Sequence, residues 1–150
     1  MGENINSLLL MRYNKLWHPQ RIHQAEEVLH PEFARHGSSG SFRGIPSFKQ
    51  YVKHFLAAFP DAQFLFRDWL WEGDKVAISY QFVGTHKGTF LGIPPTGKQK
   101  RIEGASIYRF ADGKIMELWD FLDLIALVSE TLPFSFRSDF LGHDSDGVAN

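Results

Sequence analysis

Residues 75–86 alternate between apolar and polar side chains, and this pattern constrains the fold more than any other. The apolar positions are Val76, Ile78, Tyr80 and Phe82, and the residues between them are small or polar. A period of two residues is that of a β-strand with one buried face. The chain therefore needs a second layer that covers this apolar face.

Three predicted helices precede or flank this strand region and can supply that layer. The apolar spacing predicts one helix over residues 4–17 and a second, short helix over residues 21–29, which His30-Pro31 ends. The third begins near Pro46 and has apolar residues at i, i+3, i+4, i+7, i+8 and i+11. These residues are Phe48, Tyr51, Val52, Phe55, Leu56 and Phe59.

The remaining segments are predicted to be strands joined by turns. A short strand is expected over residues 33–36, followed by a flexible loop over residues 37–41. Residues 63–71 predict a further strand. Residues 99–110 and 114–122 predict a hairpin about Asp112-Gly113.

This order of elements predicts an α+β domain. N-terminal helices pack on one face of a curved antiparallel sheet, and residues 124–132 form a closing helix. The last residues, 133–150, are rich in Ser, Asp and Gly, so we expect an irregular C-terminal tail. The 150 residues therefore divide into one domain, residues 1–132, and that tail.

Composition excludes several kinds of protein. The 16 basic and 17 acidic residues include no long basic run, which argues against a nucleic-acid partner. The absence of cysteine excludes disulfides and thiol catalysis, and no His-Glu-x-x-His spacing suggests a metal. Nothing indicates a flavin or nucleotide cofactor. The apolar run Leu8–Met11 is too short to cross a membrane, so we expect a cytoplasmic protein.

Two segments carry a family resemblance. A Gly-x-x-x-Gly-x-Pro-Pro-Thr stretch runs from Gly88 to Thr96, in a loop whose apolar side chains need something to cover. An Arg-x-x-Asp-Gly-Lys-Ile stretch runs from Arg109 to Ile115 and precedes a Trp and an acid. Both resemble the SnoaL-like polyketide cyclase family, across roughly residues 5–130. The resemblance implies a cone-shaped cavity of the nuclear transport factor two type, no cofactor, and a homodimer.

Asp120 is the first candidate for catalysis. In a strand over residues 114–122 it shares a face with Met116, Leu118 and Leu122. Apolar surroundings favour the protonated form of a carboxyl group, so Asp120 could exchange protons near neutral pH. The alternative is a solvent-facing carboxylate. Asp123 is interpreted as the N-cap of the last helix. The resemblance implies that Asp120 is the acid/base.

His86, His36 and Ser106 are the other polar candidates. His86 continues the alternating face and could assist catalysis, or could satisfy a backbone group at the strand end. His36 lies where the resemblance places a polar group that reaches the cavity. Ser106 stands where the resemblance implies a His, and a hydroxyl needs help to act as a base.

The register of the last hairpin decides where Ser106 points. A type I turn with a Gly bulge would pair Ser106 with Leu118, on the face of Asp120. A plain two-residue turn would pair it with Trp119, on the other face.

The resemblance implies an enzyme that abstracts a proton next to a carbonyl and closes an aromatic or polyketide-like substrate by intramolecular aldol addition. The predicted substrate-binding residues are Phe55, Phe59, Phe90 and Trp119, with His36 and Ser106. Two alternatives remain open. One is a hydrolase or isomerase on the same fold; the other is a non-catalytic protein that binds a small hydrophobic molecule.

Overall fold

The computed structural model describes residues 2–38 and 40–128. The helices are α1 (Gly2–Lys15), α2 (Ala25–Val28), α3 (Ile45–Ala58) and α4 (Leu124–Val128), with a 3₁₀ turn at Ile22–Gln24. The strands are β1 (Leu29–Gly37), β2 (Gly40–Arg43), β3 (Gln63–Glu72), β4 (Lys75–Thr85), β5 (Gln99–Ala111) and β6 (Lys114–Leu122). In this described part of the chain, each helix is too short or too polar to cross a bilayer.

The strands form one curved sheet in the order β2-β1-β6-β5-β4-β3. All neighbouring pairs are antiparallel except β1 and β6, which run parallel. A parallel pair needs a long connection, and here most of the chain lies between the two strands. The predicted α+β class, with helices on one face of a curved sheet, is confirmed, and the sheet is mixed because of this one pair.

The predicted apolar patterns mark the core. Every second residue of β4 from Val76 onwards is buried, as the alternation indicates. One face of α3 is buried against the sheet, including Phe48, Val52 and Phe55. From α1, Leu10 is fully buried and joins the same core. The helices thus supply the covering layer that the strand pattern requires.

The loop predicted over residues 37–41 is wrong in part. Residues 40–43 form β2, which pairs with the end of β1 at an edge of the sheet. A strand of four residues shows too short a pattern for periodicity to identify it. The predicted closing helix begins as expected, but residues 129–132 and the predicted tail, 133–150, lie outside the described residues.

The β5–β6 hairpin has a register that matches neither predicted alternative. Asp112 and Gly113 both have positive φ, 53° and 71°, as a tight two-residue hairpin turn requires. Ala111 therefore pairs with Lys114. Farther from the turn the register shifts, because Met116 is an extra residue on β6 that forms a bulge.

This bulge places Ser106 directly opposite Asp120. Ile115 and Leu118 are three positions apart, so a regular strand would place them on opposite faces, but the bulge keeps both in the core. Ser106 therefore lies on the same face as Asp120. The bulge on β6 produces this register, which neither of the two predicted turn geometries includes.

A matched pair of leucines on α1 tests how much helix docking contributes to stability. We expect Leu10→Ala to lower the free energy of unfolding by about 2–5 kcal/mol, because it leaves a cavity in the core. Leu8 is 62% exposed, and Leu8→Ala should change stability by less than about 0.5 kcal/mol. Urea denaturation measures both. Equal losses would contradict the packing of α1 described above.

Candidate functional site

The Asp120 carboxylate accepts three hydrogen bonds from side chains. Arg35 Nη2 donates to Oδ2 at 2.8 Å. The Tyr80 hydroxyl and the Ser106 hydroxyl both donate to Oδ1, at 2.7 Å and 2.8 Å. The Asp120 side chain is only 14% exposed.

Each donor comes from a different strand. Ser106 is the direct cross-strand neighbour of Asp120 on β5, and Arg35 lies on β1, on the other side of β6. Tyr80 lies on β4 and reaches across β5 to the carboxylate. Four adjacent strands are therefore joined through one side chain on the helix-covered face of the sheet.

Arg35 is a buried cation with a specific set of neighbours. Its side chain is 3% exposed, and its guanidinium lies 4.3 Å from the centre of the Tyr51 ring. Burial lowers the pKa of Arg35, but Tyr51 and Asp120 raise it, and the net direction is upward. Its Nη1 atom has no hydrogen-bond partner among residues 2–38 and 40–128. Arg35 is thus a permanent positive charge beside the carboxylate.

A narrow cavity lies beside Asp120. Tyr13, Asn14 and Trp17, from α1 and the residues after it, form one side of this cavity. Phe64 and Tyr108, from β3 and β5, contribute to its wall. The cavity volume is about 20 Å³, which is room for about one water molecule. A ring system could enter only if aromatic side chains of the wall moved.

Tyrosine hydroxyls dominate the polar part of the site. Burial raises the pKa of Tyr13, Tyr80 and Tyr108, and the charge of Asp120 adds to this effect in each. Burial also raises the pKa of Tyr51, under Arg35. All four phenols therefore stay neutral at physiological pH, and the hydroxyl of Tyr80 donates a hydrogen bond to Asp120.

Two predicted site residues, His36 and Trp119, lie on the opposite face of the sheet. Their rings stack with centres 5.5 Å apart, and His36 Nε2 lies 2.6 Å from Glu117 Oε2. Burial raises the pKa of Glu117, but hydrogen bonds from His36 and Arg109 lower it, and the net direction is downward. Neighbours along a strand face opposite ways, so His36 and Trp119 are separated from Asp120.

His86 lies in a second aromatic cluster. It is fully buried, with its ring stacked 5.3 Å from that of Phe59. The backbone N–H of Thr96 donates to Nδ1, while Nε2 finds no partner in the described part of the chain. Phe55, Phe59 and Phe90 have ring centres 5.3–5.6 Å apart in this cluster. None of these four residues lines the cavity at Asp120.

The glycine-rich loop, residues 86–98, packs against the end of α3. The backbone N–H groups of Lys87 and Gly88 donate to the carbonyl oxygen of Ala58. A Cβ on Gly88 would overlap with the carbonyl of Ala57, so only glycine allows this close approach. Through Phe90, the loop covers the aromatic cluster around His86 and contributes no wall to the cavity at Asp120.

Asp123 caps α4. Its Oδ1 accepts hydrogen bonds from the backbone N–H groups of Ile125 and Ala126, at 3.1 Å and 3.2 Å. This is the geometry of an N-cap, so the interpretation of Asp123 as a capping residue is confirmed.

The sequence analysis missed Arg35 and three tyrosine hydroxyls of the site. A signal for Arg35 was present: it follows Phe33-Ala34 in an apolar strand, two residues after a core Phe. Because side chains alternate along a strand, Arg35 shares the core face with Phe33, whereas its neighbour His36 points to the opposite face. Within the described residues, no group of His, Asp and Glu has the arrangement of a metal site.

Comparisons with known proteins show which family and folds this chain resembles. A family model described as SnoaL-like polyketide cyclase matches residues 7–131. A protein from Jannaschia sp. CCS1, described provisionally as a SnoaL-like polyketide cyclase, is 23% identical with a TM-score of 0.77. That match covers 86% of this chain and 94% of that one.

Two further solved structures have the same fold. One, from Acidithiobacillus ferrooxidans and described provisionally as a polyketide cyclase, is 26% identical with a TM-score of 0.70, over 79% of this chain and 88% of that one. The other is AclR from Streptomyces galilaeus, described provisionally as a hydroxylase, at 25% identity and a TM-score of 0.68. That match covers 81% of this chain and 90% of AclR. No curated protein matches significantly.

Alkaline titration tests the burial of the tyrosines. The chain has four tyrosines, and all four lie within the described residues. Tyrosinate absorbance at pH 10 should be well below half its maximum in the native protein, and should reach half its maximum at about pH 10 in urea. Because folding raises each phenol pKa, the stability that depends on it is present below pH 10 and is lost as pH rises further. A native midpoint near pH 10 would contradict the burial of these phenols.

Proposed function

The chain belongs to the SnoaL-like polyketide cyclase family, and we propose that it is an acid/base enzyme in which Asp120 transfers the proton. One observation carries this proposal: the Asp120 carboxylate is held by three donors at the wall of a cavity. A general base works best when its position and charge are set before substrate arrives.

The hydrogen bonds indicate which oxygen is the base. Oδ1 accepts two hydrogen bonds, from Tyr80 and Ser106, which use its lone pairs. Oδ2 accepts one, from Arg35, and keeps a second site free. Oδ2 therefore takes a proton from the carbon next to a substrate carbonyl. The neutral phenols of Tyr13 and Tyr108 line the same cavity and donate to the resulting enolate oxygen.

The aldol step then needs no further protein group. The enolate carbon attacks a second carbonyl of the same substrate and forms the new carbon–carbon bond, leaving an alkoxide. Asp120 returns its proton to that alkoxide, which restores the carboxylate. Ser106 positions the carboxylate in this scheme and does not act as a base. His86 has no contact with Asp120, so the proposal gives it no part in proton transfer.

The small cavity favours a second candidate function, hydrolysis. A volume of about 20 Å³ fits one water molecule against the carboxylate, and Asp120 could activate such a water for attack on a substrate. The cyclase proposal instead requires Trp17 or Phe64 to move when an aromatic substrate binds. The third candidate function is binding of a hydrophobic small molecule without turnover.

A hydrogen-exchange assay tests the proposal without knowledge of the natural substrate. Ethyl benzoylacetate and its two-ring and three-ring analogues carry acidic protons between two carbonyls. We expect the protein to accelerate exchange of these protons with D₂O, measured by NMR. Asp120→Asn should slow the catalysed exchange by about 10²–10⁴-fold, because it removes the base and keeps the side-chain size.

Asp123→Asn is the matched control, because Asn also caps helices and Asp123 lies outside the cavity. Its exchange rate should equal that of the wild type. Binding of the probes without accelerated exchange would support the ligand-binding reading. Incorporation of ¹⁸O from labelled water into an ester or epoxide probe, lost in Asp120→Asn, would support hydrolysis.

We also propose that the protein forms a homodimer through the outer face of the sheet. Leu70 on β3 and Phe121 on β6 are 73% and 61% exposed on this face, and Trp119 lies two residues from Phe121 on β6. Exposed apolar side chains clustered on one face are typical of protein interfaces. In this proposal His36 and Trp119 contribute to the interface and do not bind substrate.

Analytical ultracentrifugation tests the dimer. We expect the wild type to sediment as a dimer and Phe121→Glu to sediment as a folded monomer, because a buried unpaired charge opposes association. Leu8→Glu is the control, since Leu8 is equally exposed but belongs to the helical layer on the other face. Dissociation by Leu8→Glu alone, or a monomeric wild type, would contradict the proposed interface.

A further inference from the structure

Two glycines lie directly beneath the side chains that hold the Asp120 carboxylate. A Cβ on Gly104 would lie 2.5 Å from Cζ and 2.6 Å from the hydroxyl oxygen of Tyr80. A Cβ on Gly37 would lie 2.7 Å from Nη1 of Arg35. Real Cβ atoms do not approach other atoms so closely, so each side chain occupies the space that glycine leaves empty.

The sheet geometry explains why Tyr80 needs this space. Tyr80 is paired with Gly104, and β5 separates its strand from that of Asp120. Neighbouring strands are about 4.8 Å apart, so the two residues stand on strands about 10 Å apart. Side chains of a sheet normally stand perpendicular to it. The Tyr80 ring must instead lie flat across β5 to bring its hydroxyl to 2.7 Å from Oδ1.

Arg35 reaches Asp120 in a similar way along its own strand. Arg35 pairs with Leu118 and His36 with Trp119, so the next residue, Gly37, stands beside Asp120. The guanidinium leans over Gly37 and donates to Oδ2 from there. A Cβ at residue 37 would come within 2.7 Å of Nη1, so the guanidinium would have to move away.

We propose that Gly104 and Gly37 are positioning residues of the site: each lets one donor lie flat on the sheet and so sets the geometry of the Asp120 carboxylate. Neither glycine touches the cavity or the reacting atoms. The catalytic consequence rests on the function proposed above, whereas the geometric claim does not. The two can therefore be tested separately.

Gly104→Ala is the direct test. To restore an ordinary carbon–carbon contact of 3.5–4.0 Å, the end of the Tyr80 ring would have to move about 1 Å, which is enough to break its hydrogen bond to Asp120. Gly104 does not have positive φ, so alanine adds no backbone strain. We expect a folded protein whose crystal structure shows the Tyr80 hydroxyl more than about 3.5 Å from Oδ1.

Gly84→Ala is the matched control. Gly84 lies beneath the ring of Phe82, with the added Cβ 2.6 Å from Cζ, so its replacement disturbs packing to the same degree. Phe82 has no polar group, and Asp120 should keep all three hydrogen bonds. A loss of the Tyr80 contact in this variant as well would mean that general distortion, not the space at Gly104, controls the site.

The exchange assay with ethyl benzoylacetate supplies the second measurement. Loss of one hydrogen bond to a charged group should slow turnover about 10–100-fold in Gly104→Ala, mainly in kcat. Tyr80→Phe should show the same loss, and the double variant Gly104→Ala/Tyr80→Phe should be no slower than Tyr80→Phe alone. A merely structural role for Gly104 would make the two losses multiply, which would overturn the proposal.

Two outcomes separate this inference from the proposed function. If the wild type catalyses no exchange, the function fails while the crystallographic distances still decide the positioning claim. If Gly104→Ala does not fold, Gly37→Ala replaces it, with the expected lengthening of the Arg35 Nη2 to Asp120 Oδ2 distance. An unchanged Tyr80 or Arg35 contact in the corresponding folded variant would overturn the inference.

Discussion

The buried ion pair between Arg35 and Asp120 is the interaction on which the rest of the site depends. Two charges, 3% and 14% exposed, lie 2.8 Å apart between a sheet and its helices. Desolvation costs several kcal/mol for each ion, and hydrogen bonds to the remaining lone pairs of the carboxylate help to offset that cost. Ser106 and Tyr80 satisfy Oδ1, which explains why polar side chains from four adjacent strands converge here.

The surrounding structure follows from the need to bring these donors together. Tyr80 lies flat on the sheet because β5 separates its strand from that of Asp120, and Gly104 leaves room for its ring. Arg35, on the neighbouring strand, lies flat over Gly37. The Tyr51 ring faces the guanidinium, where a cation is stabilised by an aromatic surface. The aromatic cover from α1 and β3 leaves space beside the carboxylate for only a small group, so the carboxylate is largely sheltered from bulk water.

Local patterns predicted the elements well and the long-range contacts poorly. The alternation in β4 and the apolar face of α3 are local, and both helices and strands appear near the expected residues. Asp120 was identified from its apolar neighbours on one strand. The pairing of Ser106 with Asp120 depends on a bulge at Met116, which alternation does not reveal. The sequence analysis considers His36 from the family resemblance and does not consider Arg35, although strand parity distinguishes these two neighbours.

The most direct test of the central claim is the charge state of Asp120 in the native protein. Isotope-edited infrared spectroscopy with ¹³C-labelled aspartate carboxyl groups, as the difference between wild type and Asp120→Asn at neutral pH, isolates this group. The account predicts the paired stretching bands of an ionised, hydrogen-bonded carboxylate. The single carbonyl band of a protonated acid would contradict it, because Arg35 would then be a buried charge without a counter-ion and Asp120 could not serve as the base.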